Sequence, residues 1–209
     1  MQKKCVIISG GDYYLPDNAA NGAFVIACDK GYEYCLKSGI TPDLIVGDFD
    51  SYSGDIPRVG EVKVLPHDKD DTDTMFAVKE ACARGYNDIY IYCALGGRYD
   101  HFLANLQTAA YAALHGAKVR ITGLYDDFYV FSSGKITLKK QEEKSLSVFA
   151  LSDKCEGVTV KGAKWELFET ELTNGFPLGA SNEWSLRGET SISVKKGVIA
   201  VVLSKFERK

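Results

Sequence analysis

Two short acidic blocks hold the side chains best suited to chemistry in this chain: Gly47-Asp48-Phe49-Asp50-Ser51 and Asp68-Lys69-Asp70-Asp71-Thr72-Asp73. The first follows the apolar run Leu44-Ile45-Val46, so Asp48 and Asp50 leave the end of a strand together. The second introduces an amphipathic helix. Converging carboxylates repel by roughly 4 kcal/mol per pair at about 4 Å in an effective dielectric of about 20. Both blocks ionised in one pocket therefore demand a cation, and a hard, oxygen-loving ion fits best. Helix capping is the plain alternative for the second block, since Asp and Thr satisfy orphan N–H groups at the positive end of the dipole. Capping suits Asp71 or Thr72 but cannot use four aspartates at once, which leaves Asp70 and Asp73 as candidate metal ligands. For Asp48 and Asp50 the plain alternative is a polar turn of solvated acids. Against it, Phe49 separates the two and both abut a buried strand.

A third cluster, Gly96-Gly97-Arg98-Tyr99-Asp100-His101, follows the apolar run Ile89 to Leu95. The glycines let the backbone approach a ligand closely, and Arg98 offers a planar fork of donors to phosphate oxygens. Asp100 either caps the following helix or orients or deprotonates an attacking hydroxyl. Lys69 is a charge balancer or a second phosphate contact. His67, His101 and His115 have no metal-ligand spacing, and neither G-x-x-x-x-G-K-[ST] nor G-x-G-x-x-G occurs, so a nucleotide must be held by acids through a cation, plus Arg98. In the second half, Gly179-Ala180-Ser181-Asn182-Glu183-Trp184 could stack a flat heterocycle on Trp184 and hydrogen-bond its edge. An ordinary turn with Trp184 returning to the core is the simpler reading.

The elements that position these groups follow from periodicity. Val6 to Ser9, Phe24 to Cys28, Leu44 to Val46, Val62 to Leu65, Ile89 to Leu95 and Val119 to Thr122 read as strands. Thr72 to Arg84 reads as a helix with Met75, Val78 and Cys82 inward, and Asp100 to His115 as another with Leu103, Leu106, Ala110 and Leu114 inward. Near-continuous apolar strands separated by helices predict an α/β domain with a mostly parallel sheet covered on both faces. Ligands then collect at the carboxyl ends of the strands, where Cys28-Asp29-Lys30-Gly31 makes a fourth candidate turn. After Asp127 the runs 129–131, 136–138, 146–149, 158–160, 191–194 and 198–202 are short and bounded by Gly, Ser, Lys or Asp. They predict a small antiparallel β domain, most simply a sandwich. The expected domains are 1–126 and 127–209, packed directly for want of a Pro- or Gly-rich linker.

Composition narrows the partners. A net charge of −3, from 25 basic and 28 acidic side chains with no long basic run, gives no footprint for nucleic acid or an anionic membrane. No apolar run could span a bilayer, and the apolar start reads as a first strand rather than a signal segment. The six cysteines form no C-x-x-C pair, which predicts reduced thiols and a cytosolic location.

Together the motifs resemble the thiamine pyrophosphokinase family. The resemblance rests on Pro42-Asp43-Leu44-Ile45-Val46-Gly47-Asp48-Phe49-Asp50-Ser51, Lys69-Asp70-Asp71-Thr72-Asp73, Gly97-Arg98-Tyr99-Asp100-His101 and Ser181-Asn182-Glu183-Trp184, in that order. It implies a Rossmann-like nucleotide domain followed by a β-sandwich, and transfer of a diphosphate from ATP to the hydroxyl of thiamine. It further implies Mg2+ on Asp48, Asp50, Asp70 and Asp73, and ATP contacts from Asp29, Asp48, Lys69, Thr72 and Arg98. Arg98 and Asp100 are implied as catalytic, Ser181, Asn182 and Trp184 as the thiamine contacts, and a homodimer as the setting, with the thiamine site near the subunit interface. One departure stands at Asp29-Lys30-Gly31, where many relatives look like Asp-Gly-Gly. Two other readings compete: a magnesium-dependent phosphohydrolase, because Asp48-Phe49-Asp50 is also a D-x-D, and a sensor that binds nucleotide or thiamine without consuming either.

Overall fold

Apolar runs too short for helices pair as strands through the first half of the chain. The computed structural model describes residues 3–48, 60–66, 68, 70–186 and 188–207, and the chain divides into two units, Met1–Leu124 and Tyr125–Lys209. The first unit holds β1 (Lys4–Ile8), β2 (Phe24–Cys28), α1 (Gly31–Lys37), β3 (Leu44–Gly47), β4 (Glu61–Val64), α2 (Asp73–Ala83), β5 (Asp88–Tyr92), α3 (Tyr99–Leu114) and β6 (Lys118–Thr122). Its strands run in the order β6-β5-β1-β2-β3-β4, every neighbouring pair parallel. The chain therefore leaves β1 on one side through β2, β3 and β4, then returns to the other side for β5 and β6. That reversal opens a crevice at the carboxyl ends of β1 and β5, the usual place for a ligand in a parallel sheet.

Alternation along the strands sends Val6, Ile8, Val25, Ala27 and Ile45 to one face, where Tyr32 and Cys35 of α1 pack on them. The other parity carries Ser9 and Cys28 toward α2: the Ser9 and Thr74 hydroxyls lie 2.7 Å apart, and Cys28 Sγ donates to the Asp73 carbonyl at 3.7 Å. Burial pushes the thiols of Cys5 and Cys35 up to about 12, so both behave as small core hydrophobes.

Several sequence expectations need correction here. β5 stops at Tyr92 rather than Leu95, because Cys93 turns into the left-handed region at φ 54° and takes the chain out of the sheet. Helix α1 was not anticipated; seven residues carry too few turns for a helical period to show. In α2 the buried face is Thr74, Ala77, Val78 and Ala81, with Met75 and Cys82 only half-buried. The largest difference is in α3, where Leu103 and Leu114 are 59% and 67% exposed and the inward row is Asn105, Thr108, Ala109, Ala112 and Ala113. Small side chains let α3 lie close against α2 and β6, where a row of leucines would hold it away.

The second unit holds β7 (Asp126–Lys139), β8 (Lys144–Ala150), β9 (Lys154–Lys161), β10 (Leu167–Thr173), β11 (Gly179–Asn182) and β12 (Glu189–Lys205). Two strands of 14 and 17 residues replace the four short ones expected, two at each end of the domain. The first half of β12 pairs with β9 and its second half with β8, while β7 pairs along both halves. A register shift between Val194 and Val198 changes the inward parity from Ile192 and Val194 to Ile199, Val201 and Leu203, so one core receives both halves. The interruption near Gly197 had suggested two strands; it is an irregularity within one. Strands β10 and β11 were also missed, because Leu167–Thr173 and Gly179–Asn182 have little apolar alternation and pair at only one edge. Among the described residues no helix is long and apolar enough to cross a membrane.

One polar exception in this unit is an ion pair, Lys144 Nζ to Asp127 Oδ2 at 2.7 Å, with side chains only 12% and 5% exposed. Removing one partner from such a pair strands the other charge in a poorly solvated site, at a cost of about 3–5 kcal/mol. Lys144→Met should therefore lower the urea midpoint of this unit, followed through Trp184, whose indole N–H donates to the Lys144 carbonyl at 2.7 Å. An unchanged midpoint would show that the pair contributes nothing to stability.

Candidate functional site

At the crevice between β1 and β5, backbone hydrogen bonds continue past the ends of the strands. Ser9 N–H donates to Tyr92 O at 3.0 Å, Gly11 N–H to Cys93 O at 2.6 Å and Asp12 N–H to Leu95 O at 3.0 Å. This zipping requires glycine at position 11, where a Cβ would lie 2.8 Å from the Cys93 carbonyl oxygen and 2.9 Å from that of Leu95. Asn105, buried on α3, ties the same segment down by donating from Nδ2 to Ala94 O at 2.8 Å. Beyond the zipped loops opens a cleft of about 760 Å³, within the usual size range of a small-molecule site.

The cleft wall brings together Gly10, Gly11 and Asp12 after β1, Asp29 and Lys30 after β2, Thr72 and Asp73 at the start of α2, and Gly96, Gly97 and Arg98 before α3. Asp29 adopts φ 43° and its carboxylate lies over Gly47, where a Cβ would be driven into Oδ1. The end of β2 thus presses its acid against the strand end that carries Asp48. Cys28 reports the convergence electrostatically. Its thiol is pushed well above the ordinary range by burial first, then by the charges of Asp73 and Asp29. Thr72 caps α2, its hydroxyl accepting from Met75 N–H at 3.1 Å, while Asp71 is bound to Lys79 at 2.6 Å. Of the two residues for which capping was expected, Thr72 does the work.

Arg98 precedes α3, its guanidinium closed onto Asp100: Nε donates to Oδ1 at 3.1 Å and Nη2 donates to Oδ2, and the Asp100 carboxylate also accepts from His101 N–H at 2.9 Å. Both side chains are open to solvent, 74% and 60% exposed. The Arg98 hydrogen bonds hold the Asp100 carboxyl below the usual carboxylate range. A carboxylate so held is a weak proton acceptor and a firm anchor for a guanidinium.

Among the metal candidates, Asp73 lines the cleft and Asp48 stands half-buried at the end of β3, while Asp70 is exposed before α2. Asp50 and Lys69 lie outside the described residues. Among the described residues, no three potential ligands gather into a closed ion site. The donors are carboxylates, which suits magnesium, an ion commonly held by one or two acids together with substrate phosphates. Ser181, Asn182 and Trp184 belong to the second unit. Asn182 is buried, accepting from the N–H groups of Trp165 at 3.1 Å and Glu183 at 2.9 Å and donating to Trp165 O at 2.7 Å. Trp184 packs half-buried on the core of that unit, and Ser181 is exposed at φ 55°.

Sequence reasoning overlooked Ser9, Gly10-Gly11-Asp12, Tyr34 and Asn105. Gly-Gly-Asp directly after the first strand was a usable signal, by the rule applied to the other strand ends. Nothing local marked Asn105, whose role depends on a carbonyl eleven positions away.

The contact between Asp29 and Gly47 can be tested without a ligand. Gly47→Ala should destabilise by about 1–3 kcal/mol through overpacking. Asp29→Ala in the same background should recover part of that loss, a coupling of about 1 kcal/mol or more in a double-mutant cycle from urea unfolding. Strict additivity would mean that the two groups do not touch.

Comparison with known proteins follows the same division. Residues 16–121 match the family described as thiamin pyrophosphokinase, catalytic domain, and residues 134–199 match thiamin pyrophosphokinase, vitamin B1 binding domain. Thiamine pyrophosphokinase of Bacillus subtilis (strain 168) is 30% identical over 185 residues, covering 86% of each chain. The crystal structure of thiamine pyrophosphokinase from Bacillus subtilis superposes with a TM-score of 0.86 at 28% identity, over 98% of this chain and 100% of that one. A thiamin pyrophosphokinase family protein from Enterococcus faecalis gives 0.78 at 27% identity over the same shares.

Proposed function

The chain belongs to the thiamin pyrophosphokinase family, and from that premise we propose that its first unit binds ATP and moves the terminal diphosphate to the hydroxyl of thiamine, giving thiamine diphosphate and AMP. The observation that carries the reading is the cleft at the β1–β5 reversal, lined by Asp29, Asp73 and Arg98. In this reading the first unit is a Rossmann-like nucleotide domain and the second a β-sandwich that offers Ser181, Asn182 and the face of Trp184 to thiamine.

Magnesium would be held by Asp48, Asp50, Asp70 and Asp73, and when bound it supplies charge neutralisation for the polyphosphate. Asp29, Lys69, Thr72 and Arg98 provide the remaining contacts to ATP. The thiamine hydroxyl oxygen forms a bond to the β-phosphorus as the bond from that phosphorus to the oxygen shared with the α-phosphate breaks; the hydroxyl proton is released and AMP departs. Arg98 stabilises charge on the transferred group, and Asp100 keeps the guanidinium in place, since positioning and electrostatics dominate phosphoryl chemistry. The six free thiols suit a reducing compartment, and the cytoplasm is the proposed location. A homodimer is proposed as well. Support comes from an outward row on α3, Tyr99, Leu103 and Leu114, whose apolar side chains a second copy would cover.

Mass analysis after incubation with ATP, magnesium and thiamine should show a product heavier by two phosphates. Addition of one phosphate would overturn diphosphate transfer, phosphate release without thiamine would favour the competing phosphohydrolase reading, and no turnover with both ligands bound would favour a sensor. Arg98→Ala should lower kcat by about 10²–10³-fold, as for loss of a charge-stabilising donor. Asp100→Asn keeps an acceptor for Arg98 and should cost only about tenfold in kcat, with the thiamine KM unchanged. A collapse as deep as that of Arg98→Ala, with a changed pH profile, would make Asp100 the proton acceptor instead.

A further inference from the structure

The backbone of Lys30, at φ −54° and ψ −23°, lies in the ordinary right-handed region. The conformational demands of this turn fall on its neighbours. Asp29 takes the positive φ, and Gly31 must lack a side chain because a Cβ there would be driven into the Ile8 carbonyl. Position 30 can therefore carry a long side chain without distorting the turn, and that side chain lines the cleft.

The cleft also holds the ammonium in a defined place. The Lys30 Cβ lies 3.4 Å from where a side chain on Gly10 would begin, so Lys30 rises directly beside the Gly10-Gly11 turn. Its Nζ sits 5.5 Å from the centre of the Tyr34 ring. Tyr34 in turn donates its hydroxyl to the Gly11 carbonyl at 2.9 Å, which fixes the ring to the zipped loop. That hydroxyl, first among several causes, holds the Lys30 ammonium above its ordinary range. Among the described lining residues, Lys30 and Arg98 supply the lysine and arginine charge, against Asp12, Asp29 and Asp73. The two cations stand on different elements, one after β2 and one before α3, so a polyanion in the cleft is met by both.

We propose that Lys30 is a recognition residue for polyphosphate, its ammonium contacting phosphate oxygens of the triphosphate that enters the cleft. The proposal rests on the reading that the first unit binds ATP. It adds a contact that distinguishes ATP from AMP: AMP lacks the phosphates that Lys30 recognises and leaves without breaking that interaction.

The test is calorimetric titration of wild type, Lys30→Met and Lys30→Arg with magnesium ATP, AMP and inorganic tripolyphosphate. Met keeps an unbranched stem of similar length and removes the charge. Lys30→Met should weaken ATP and tripolyphosphate about tenfold, as expected for one charge-assisted hydrogen bond, and AMP by less than about twofold. Lys30→Arg should bind all three close to wild type. Equal weakening of ATP and AMP, or unchanged affinity for ATP, would overturn the assignment. Formation of thiamine diphosphate by the wild type is scored separately, so a variant with unaltered ATP affinity and normal product refutes the role of Lys30 while the reaction stands.

Discussion

Two backbone hydrogen bonds, Gly11 N–H to Cys93 O and Asp12 N–H to Leu95 O, set the geometry on which the site depends. They extend the β1–β5 pairing beyond the strands at the point where the chain reverses direction across the sheet. Because the loops are joined, Asp12, Arg98 and the Gly96-Gly97 turn face the cleft from a common floor, and Asn105 braces that floor from α3. The constraint is steric: only a residue without Cβ fits between two carbonyl oxygens under 3 Å from its Cβ position.

Charge then decides what such a cleft accepts. Asp29 is pressed onto the end of β3, and Asp73 is drawn to the end of β2 by its carbonyl bond to Cys28. Both acids raise the titration of the buried thiol between them. Arg98 joins them from the turn before α3, and Lys30 from the turn after β2 that also carries Asp29. A cleft lined by both acids and cations suits a polyanion that brings its own divalent ion. The pairing of Arg98 with Asp100 fits the same logic, since it fixes the fork in advance and leaves the aspartate too acidic to serve well as a base.

Much of this was legible because the informative features are local. Apolar runs ended by Asp or Gly marked β2, β3 and the start of α2, and the carboxyl-end rule then gathered their turns. Where packing rather than local pattern decides, the reading failed. In α3 leucine spacing suggested one inward face, but close approach to α2 selected the alanine row instead. In β12 a parity change at Val194 to Val198 looked like a strand boundary, because a sequence window cannot distinguish a bulge from a turn. Asn182 shows a third kind of difference. Its residue type suggested ligand contact; the fold adds structural partners for its amide, Trp165 and Glu183, visible only once the chain is folded.

The central claim is that an acid-walled cleft in the first unit binds a nucleoside triphosphate together with a divalent cation. Calorimetric titration of ATP into the whole chain, with excess magnesium and then with EDTA in its place, tests this most directly. The account predicts a saturable site with magnesium that weakens by at least about a hundredfold in EDTA, as carboxylates and phosphates are left facing each other without a counter-ion. ATP binding of equal strength in both conditions would contradict it.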